Sequence, residues 1–379
     1  MTKTKVKNKK NIYNLGKSIY NATVGSIDEI IKKYYHQDTV WHGPHPFKTL
    51  KGREELIDDF WKPFLNSFPD AQKDDYILFG GKCRGANRKK WREWEETVRD
   101  TDKERISYYF GNDTESDWVH SSGTYVATFE KDFLGIPATK RAVWIRYGEF
   151  YRMVDGKVAE TIVVMDLLDL MRQAGFRIYP SGSQEITMPA PSTQDGIQLG
   201  ESDSEESQKT LKIVEDMIFK GIHSYEDEGL EGMGMEKYFH QDFMYYAPYS
   251  WGQTRGVDNF TKYIQGPFQE SFPDLRGGMH EARFAEGKYC CSTGPIKGTH
   301  AATNYLDLPA LEEPVLTRAM DVWRREGDKL VENWLHLDIV DFLLQYGIDI
   351  FERLNKGNFC TSEYQFVSQL AEDGFKDNR

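Results

Sequence analysis

The fold of this chain is decided by the stretch ENWLHLDIVDFLLQYG, Glu332 to Gly347. An apolar, strand-like run meets Asp338 and then becomes an amphipathic run that stops at glycine. Side chains two positions apart on a strand share a face, so Trp334, His336 and Asp338 are expected on one side of it. The pattern therefore predicts that a carboxylate, an imidazole and an indole lie next to one another on one face of the strand.

The same pattern occurs once more, in ETIVVMDLLDLMRQAG, Glu160 to Gly175. Asp166 corresponds to Asp338, but Val164 stands where the later stretch has His336. The two copies therefore share an aspartate and differ in the residue beside it, which predicts different chemistry in the two halves.

These stretches belong to an internal repeat. Tyr34–Asp38 returns as Tyr238–Asp242, and Ser67–Asp70 returns as Ser271–Asp274, both 204 positions later. In the later part of the repeat, corresponding residues are only 172 positions apart. The first copy therefore carries 32 additional residues, which fall most naturally in Lys82 to Asp117. That segment alternates in charge like a solvated surface insertion. A lid or partner-docking element is the alternative.

The repeat predicts two tandem domains. A segment rich in Ser, Pro, Gly and acidic residues separates the copies and reads as a linker, and a basic, solvated tail precedes them. The predicted organisation is a basic tail over residues 1–19, a first domain over 20–179 with its insertion at about 82–117, a linker over 180–208, a second domain over 209–354 and a C-terminal tail over 355–379.

Composition excludes several classes of function. The 60 acidic residues outnumber the 48 Lys and Arg residues, which argues against nucleic acid as a partner. No run of about 18 apolar residues is present, so no membrane span is predicted. The four cysteines have neither CxxC spacing nor a disulfide framework, which favours a reducing, cytoplasmic setting for a soluble protein.

Each copy reads as helices first and strands afterwards. The first copy predicts helices at 26–36 and 54–68, strands at 39–42, 118–129, 142–154 and 158–165, and a short final helix that ends at Gly175. This order indicates an α+β fold in which a curved antiparallel sheet wraps around N-terminal helices and leaves a pocket between them.

The order of short motifs carries a family resemblance. WHGP at Trp41–Pro44, a Gly-led helix that ends in SFPD at Ser67–Asp70, the G-x-P turn at Gly135–Pro137 and DGKVAE at Asp155–Glu160 precede a strand that ends at Asp166. In this order, the chain resembles the SnoaL-like polyketide cyclase family of the NTF2-like superfamily. The resemblance implies two tandem cone-shaped domains, each a curved antiparallel sheet around N-terminal helices.

The resemblance also implies acid/base catalysis without a cofactor or a metal. Such cyclases close a ring by an intramolecular aldol condensation, with an aspartate on the last strand and a nearby histidine. Asp338 and His336 match this pattern in the second copy, whereas only Asp166 matches in the first. Because each aspartate precedes an amphipathic run with Asp341 or Asp169 three residues on, a helix cap is the alternative role.

Aromatic and imidazole side chains are the candidate substrate contacts, because they stack on flat molecules and raise the pKa of a buried acid by excluding water. These candidates are Trp334, Trp323, Tyr246, Tyr249, Tyr305 and Phe342 in the second copy, and Trp41, His42 and His45 in the first. A β-turn around Pro44 with exposed rings is the alternative for the two histidines.

The predicted function is a SnoaL-like cyclase or a related lyase or isomerase acting on a hydrophobic carbonyl compound. A non-catalytic binder of hydrophobic small molecules, a hydrolase of small esters or epoxides, and a protein-interaction module remain open. The two domains are expected to pack as an internal pseudo-dimer, with homo-oligomers left open.

Overall fold

The first half of the chain folds into helices followed by a six-stranded sheet. The computed structural model describes residues 2–83, 115–176, 188–275, 280–301 and 305–356. Its first elements are α1 (Thr2–Ile19), α2 (Ile27–Tyr34), β1 (Tyr35–His42), β2 (Thr49–Lys51) and α3, three consecutive helical segments (Gly52–Glu55, the π-helical Leu56–Trp61 and Lys62–Ser67). There follow β3 (Gln72–Cys83), β4 (Ser116–Thr128), β5 (Ala142–Val154), β6 (Lys157–Met165) and α4 (Leu167–Gln173).

The second half repeats this order. It contains α5 (Ser204–Asp216) with a π-helical extension (Met217–Gly221) and a 3-10 turn (Ile222–Ser224), α6 (Tyr225–Met233), a further 3-10 turn (Met235–Lys237), β7 (Phe239–Tyr246) and β8 (Thr254–Arg255). The remaining elements are α7 (Val257–Phe260, the π-helical Thr261–Gln265 and Gly266–Ser271), β9 (Ala282–Glu286), β10 (Tyr289–Thr299), β11 (Pro314–Glu326), β12 (Lys329–Leu337), α8 (Ile339–Leu344) and α9 (Ile350–Asn355).

Both sheets have the same topology. Their strand orders are β2-β1-β6-β5-β4-β3 and β8-β7-β12-β11-β10-β9. In each sheet the long neighbours are antiparallel, while β1 pairs with β6, and β7 with β12, in parallel. The Asp155-Gly156 turn that joins β5 to β6 has positive φ at both residues, the geometry of a tight hairpin turn. The predicted α+β class and the two cone-like domains are confirmed.

The inner face of each sheet packs on the helices of its own half. On α2, Ile27, Ile31 and Tyr34 recur at helical spacing and are buried, so this short helix turns one apolar stripe inward. In α3, Phe60 and Phe64 stack with ring centroids 5.5 Å apart above the first sheet. This packing forms the apolar interior of each cone.

The outer faces of the two sheets pack against each other. Phe79 and Phe284, from the first and second sheets, have ring centroids 5.6 Å apart. Gly148 leaves room for a side chain from the other sheet, since a Cβ there would lie 2.8 Å from His336 Cδ2. The sheets therefore share a second apolar core, built from Phe79, Trp118, Phe150, Ile162, Val164, Tyr246, Phe284, Tyr289, Met320, Val322 and Trp334.

The predicted solvated tail over residues 1–19 is wrong for Thr2–Ile19, which form helix α1. The Lys9 side chain is fully buried, and its Nζ lies 2.5 Å from Oε1 of Glu286, a residue of the second sheet. The backbone N–H of Gly80 donates to the other oxygen of Glu286 at 2.8 Å. The buried Glu286 carboxylate requires a counter-charge, which Lys9 of α1 supplies. This contact therefore holds α1 against both halves of the chain.

The other predicted connecting segments are described in part. The proposed insertion joins the end of β3 to the start of β4, and residues 84–114 lie outside the described residues. Of the predicted linker, residues 188–203 are described, and Leu78 exchanges backbone hydrogen bonds with Gly196 and Gln198. In the predicted C-terminal tail, residues 357–379 lie outside the described part.

Candidate active site

Trp334 and His336 share one face of β12, and that face is turned toward the other domain, while Asp338 follows the end of the strand. The Trp334 ring stacks on Tyr246 at 5.7 Å, and its Nε1–H donates to the Pro189 carbonyl at 2.8 Å. His336 is buried, with its Nε2 3.1 Å from the Ser122 hydroxyl of the first domain. Burial, and secondarily the Arg146 cation, lower the pKa of His336 to about 3. Its ring is therefore a neutral part of the contact between the sheets.

Asp338 and Asp166 both cap the helices that follow them. The Asp338 carboxylate accepts from the Asp341 N–H at 3.2 Å, and Asp166 accepts from the Asp169 N–H at 2.9 Å. Burial first, and then Asp341, raise the pKa of Asp338 to about 6. The capping alternative weighed from the sequence is therefore what the hydrogen bonds show.

Each of these aspartates also receives a backbone N–H from the other domain. The Tyr249 N–H donates to Asp166 at 3.0 Å, and the His45 backbone bonds to Asp338. Beside this contact, the Arg146 guanidinium pairs with Asp166 at 2.5 Å. The oxygens of Asp166 and Asp338 are engaged at the domain contact, and neither residue is among the described residues that line the cavity of the second cone.

The second cone encloses a cavity of about 140 Å³ between its sheet and the helices α5 to α7. Its walls are mostly apolar and include Met217, Ile218, Met235, Phe260, Leu335 and Leu337. Polar groups among the lining residues are His223, Gln265, His280, Ser292, Thr317, Asp321 and Asn333. An apolar chamber with a few polar groups is the usual form of a small-molecule site.

Asp321 is the acid of this cavity, and sequence reasoning missed it. It lies on β11 two residues before Trp323, so period-two alternation turns both side chains into the cavity. Burial raises the pKa of Asp321 to about 7, against a smaller lowering effect of the hydrogen bond from Asn333. The Asn333 amide donates to the carboxyl oxygen at 3.1 Å, and also to the Val322 carbonyl at 3.0 Å. The repeat contained a signal for this residue: at the 172-residue offset, Asp321 aligns with Glu149, so both copies have an acid at this position.

Of the substrate contacts predicted in the second domain, Trp323 lines the cavity. Tyr305 is not among the lining residues but packs against one of them, with its ring centroid 5.7 Å from that of Trp251. Phe342 packs on Tyr346 at 5.2 Å, farther toward the C-terminal helices. Tyr246 and Tyr249 lie at the domain contact described above.

The interior of the first cone holds a buried ion network. The Lys73 ammonium lies 2.6 Å from Asp75 and 3.0 Å from Glu149, which is the residue aligned with Asp321. It also donates to the Tyr147 hydroxyl at 3.0 Å. Burial opposes the charge on Lys73, but the two carboxylates outweigh it and raise the pKa of Lys73. In this domain a built-in cation pairs with both inward-facing acids.

The substrate contacts predicted in the first domain are engaged in packing and hydrogen bonds with other parts of the protein. Trp41 packs in the apolar interior, 4.6 Å from Phe60. His42 lies 3.2 Å from the Glu160 carboxylate through Nε2 and 3.0 Å from Thr49 through Nδ1. The His45 ring lies 5.8 Å from Phe351 of the second domain. The exposed ring that the β-turn alternative predicts is absent at His42, which is buried, and the His45 ring is half-buried.

Within the described ranges, no group of three or more His, Cys, Asp or Glu side chains is placed to hold a metal ion. Among the described helices, none combines the length and the apolar character that a membrane span requires.

Comparison with known proteins gives a family match in both halves of the chain. Residues 113–174 and 232–346 match the model of the SnoaL-like polyketide cyclase family. No curated protein matches the chain.

Similar solved structures each correspond to part of the chain. A candidate SnoaL-like polyketide cyclase from Jannaschia sp. CCS1 has 14% identity and a TM-score of 0.32, covering 45% of this chain and 93% of its own. IdmH from Streptomyces antibioticus, a candidate polyketide cyclase, has 19% identity and a TM-score of 0.29, covering 35% and 97%. An NTF2-like protein from Anabaena variabilis ATCC 29413 has 14% identity and a TM-score of 0.29, covering 36% and 92%. The family match in each half confirms the resemblance that the sequence predicts, and SnoaL-like segments occur in both halves of the chain.

Proposed function

We propose that the second domain is a cofactor-independent acid/base enzyme that acts on a hydrophobic carbonyl compound, with Asp321 as its base. The observation that carries this proposal is the Asp321 carboxyl, which faces an apolar cavity and has a pKa raised to about 7 by burial. An exposed aspartate has a pKa near 3.9 and is a weak base. A carboxylate with a pKa close to the working pH accepts a proton far more readily, and about half of the molecules still carry it in the ionised form.

The reaction begins with removal of a proton from the carbon beside a carbonyl group. The Asp321 carboxylate takes this proton, and the C–H electron pair moves into the carbonyl to give an enolate. In a cyclisation, the enolate carbon forms a bond to a second carbonyl carbon of the same molecule, whose oxygen becomes an alkoxide. Protonated Asp321 then returns its proton to that alkoxide, so that the carboxylate is regenerated. Return of the proton to a different atom of the enolate, without the new C–C bond, gives isomerisation instead.

The surroundings of Asp321 suit this role. Asn333 holds one carboxyl oxygen at 3.1 Å and leaves the other for the substrate. Trp323 offers an aromatic face in the same cavity for a flat molecule. The cavity volume of about 140 Å³ is below the roughly 300–1,000 Å³ of typical ligand pockets, which favours a compact substrate of one or two rings.

In this proposal the first domain supports the second without turnover of its own. Its aligned acid, Glu149, is held by the Lys73 ammonium at 3.0 Å, so it is not available as a base. The outer faces of the two sheets form an internal pseudo-dimer. A cytoplasmic location is part of the proposal, supported by the free, buried thiols of Cys83, Cys290 and Cys291.

Hydrogen–deuterium exchange beside a carbonyl tests the base directly. Compact ketones such as indanone and tetralone are incubated with the protein in deuterium oxide and followed by NMR. We expect Asp321→Asn to lower the exchange rate by roughly 10²–10⁴-fold. Asp338→Asn is the matched control, because it changes an aspartate at the domain contact and should leave the rate within about twofold of the wild type.

Ligand binding separates this proposal from its rivals. Ala319→Phe fills the cavity where the aligned residue of the first domain is Tyr147, and it should abolish both binding and exchange while the protein stays folded. Ketones that bind the wild-type cavity without exchange would instead favour a non-catalytic binder. Exchange that responds to Asp338→Asn and not to Asp321→Asn would refute the assignment of Asp321.

A further inference from the structure

A second polar group of the cavity, His280, is fixed in one protonation pattern by its neighbour. The Arg283 Nη1 lies 2.7 Å from His280 Nδ1. A guanidinium group has only N–H donors and stays charged, so Nδ1 must accept this hydrogen bond. In neutral imidazole only one ring nitrogen carries a proton, and here that nitrogen is therefore Nε2. The contact makes His280 a hydrogen-bond donor through Nε2.

The Arg283 side chain is itself held in place. The Glu215 carboxylate on α5 lies 3.0 Å from the Arg283 Nε and 3.0 Å from its Nη2. The guanidinium also lies over the Phe219 ring, 5.1 Å from its centroid. With these two anchors, Glu215 and Phe219, Arg283 is held so that its Nη1 meets His280. This chain of contacts sets the orientation of the imidazole before any ligand arrives.

The imidazole also remains neutral. Burial first, and then the Arg283 cation and His223, lower the pKa of His280 well below its ordinary value. A proton added to Nδ1 would face the N–H of a cation at hydrogen-bond distance, which is unfavourable. The ring therefore donates from Nε2 without carrying a charge over the working range of pH.

We propose that His280 Nε2–H is the hydrogen-bond donor that stabilises the enolate oxygen formed when Asp321 removes a proton, with Arg283 as the positioning residue. This inference rests on the proposed function. Both His280 and Asp321 line the same cavity. As the C–H bond breaks, its electron pair forms the C=C bond of the enolate, and the carbonyl π pair moves onto the oxygen. The hydrogen bond from Nε2–H to that oxygen strengthens while the proton stays on nitrogen. The group that this donor recognises is an oxyanion beside an apolar ring.

A phenolate is a stable analogue of such an enolate. The probe is para-nitrophenol, whose ionised form absorbs in the visible range, and it is titrated into the Asp321→Asn protein so that no carboxylate repels it. We expect the phenolate form to bind in preference to the neutral phenol. The change His280→Phe should weaken phenolate binding by about 10- to 100-fold, the value of a hydrogen bond to a charged group. His280→Gln retains an N–H near the Nε2 position and should keep affinity within a few fold of the parent.

The protonation pattern has its own measurement. Nitrogen NMR of protein labelled at histidine distinguishes a protonated Nε2 from a protonated Nδ1, and at neutral pH we expect the Nε2–H form for His280. Arg283→Met should convert this signal to a mixture of the two forms. An Nδ1–H form in the wild type, or equal phenolate affinity in the His280→Phe protein, would overturn the inference. Neither result depends on turnover, so a failure here is distinct from a failure of Asp321 as the base.

Discussion

Ionisation of Asp321 should destabilise the folded protein, and the size of the effect follows from its pKa. Burial raises that pKa from 3.8 to about 7. Each tenfold change in proton affinity corresponds to about 1.4 kcal/mol, so the ionised carboxyl costs the folded state about 4 kcal/mol. Because the folded protein holds this proton more tightly than the unfolded chain does, stability is greatest below about pH 4 for this group and is lost as the pH rises to about 7.

Asp321→Asn removes this penalty with little change of shape, since the amide oxygen of asparagine still accepts the hydrogen bond from Asn333. We expect the variant to gain stability over the wild type as the pH rises, by up to about 4 kcal/mol at pH 8 and by close to zero at pH 4.

The assay is urea unfolding of both proteins at closely spaced pH values between 4 and 8, with the difference in unfolding free energy plotted against pH. All other titrating groups are common to the two proteins and cancel in the difference. A difference that stays flat over this range would mean that Asp321 has an ordinary pKa. Asp321 would then not be a poised base, whatever the variant does to turnover.

Three further changes probe the remainder of the structure. Lys73→Met leaves Asp75 and Glu149 buried without their cation, and urea unfolding should show a loss of about 3–5 kcal/mol, part of which returns when Glu149→Gln is added. Asp338→Ala removes a helix cap and should lower the unfolding free energy by about 1–2 kcal/mol without slowing proton exchange; a loss of exchange with intact stability would contradict this. His336 has a pKa lowered to about 3, so the unfolded chain binds its proton first and stability should fall as the pH drops below about 6.5. His336→Gln should flatten that acid limb of a thermal unfolding profile.

The fold could be predicted from the sequence because the repeat and the alternation of apolar residues are local signals. The predicted strand at 142–154 coincides with β5, and the predicted helix at 26–36 contains α2. Helix α1 was missed because its stabilising partner, Glu286, lies 277 residues after Lys9. No local pattern announces such a contact.

The site was predicted less well for a related reason. Period-two alternation correctly groups Trp334 with His336, but it does not say which side of the sheet is the cavity. In a single cone the outer face would meet water and would be polar. Here both faces of each sheet are buried, so apolar and aromatic residues mark both equally, and Asp321 on the inner face of the preceding strand went unnoticed. The offset that aligns it with Glu149 was the stronger clue.

The reciprocal contacts of Asp166 and Asp338 bear on how the chain can be divided. Each aspartate accepts a backbone hydrogen bond from a loop of the other half: Asp166 from Tyr249, and Asp338 from His45. A half expressed alone would expose an apolar sheet face and leave a carboxylate with one partner fewer. We therefore expect neither half to fold stably without the other.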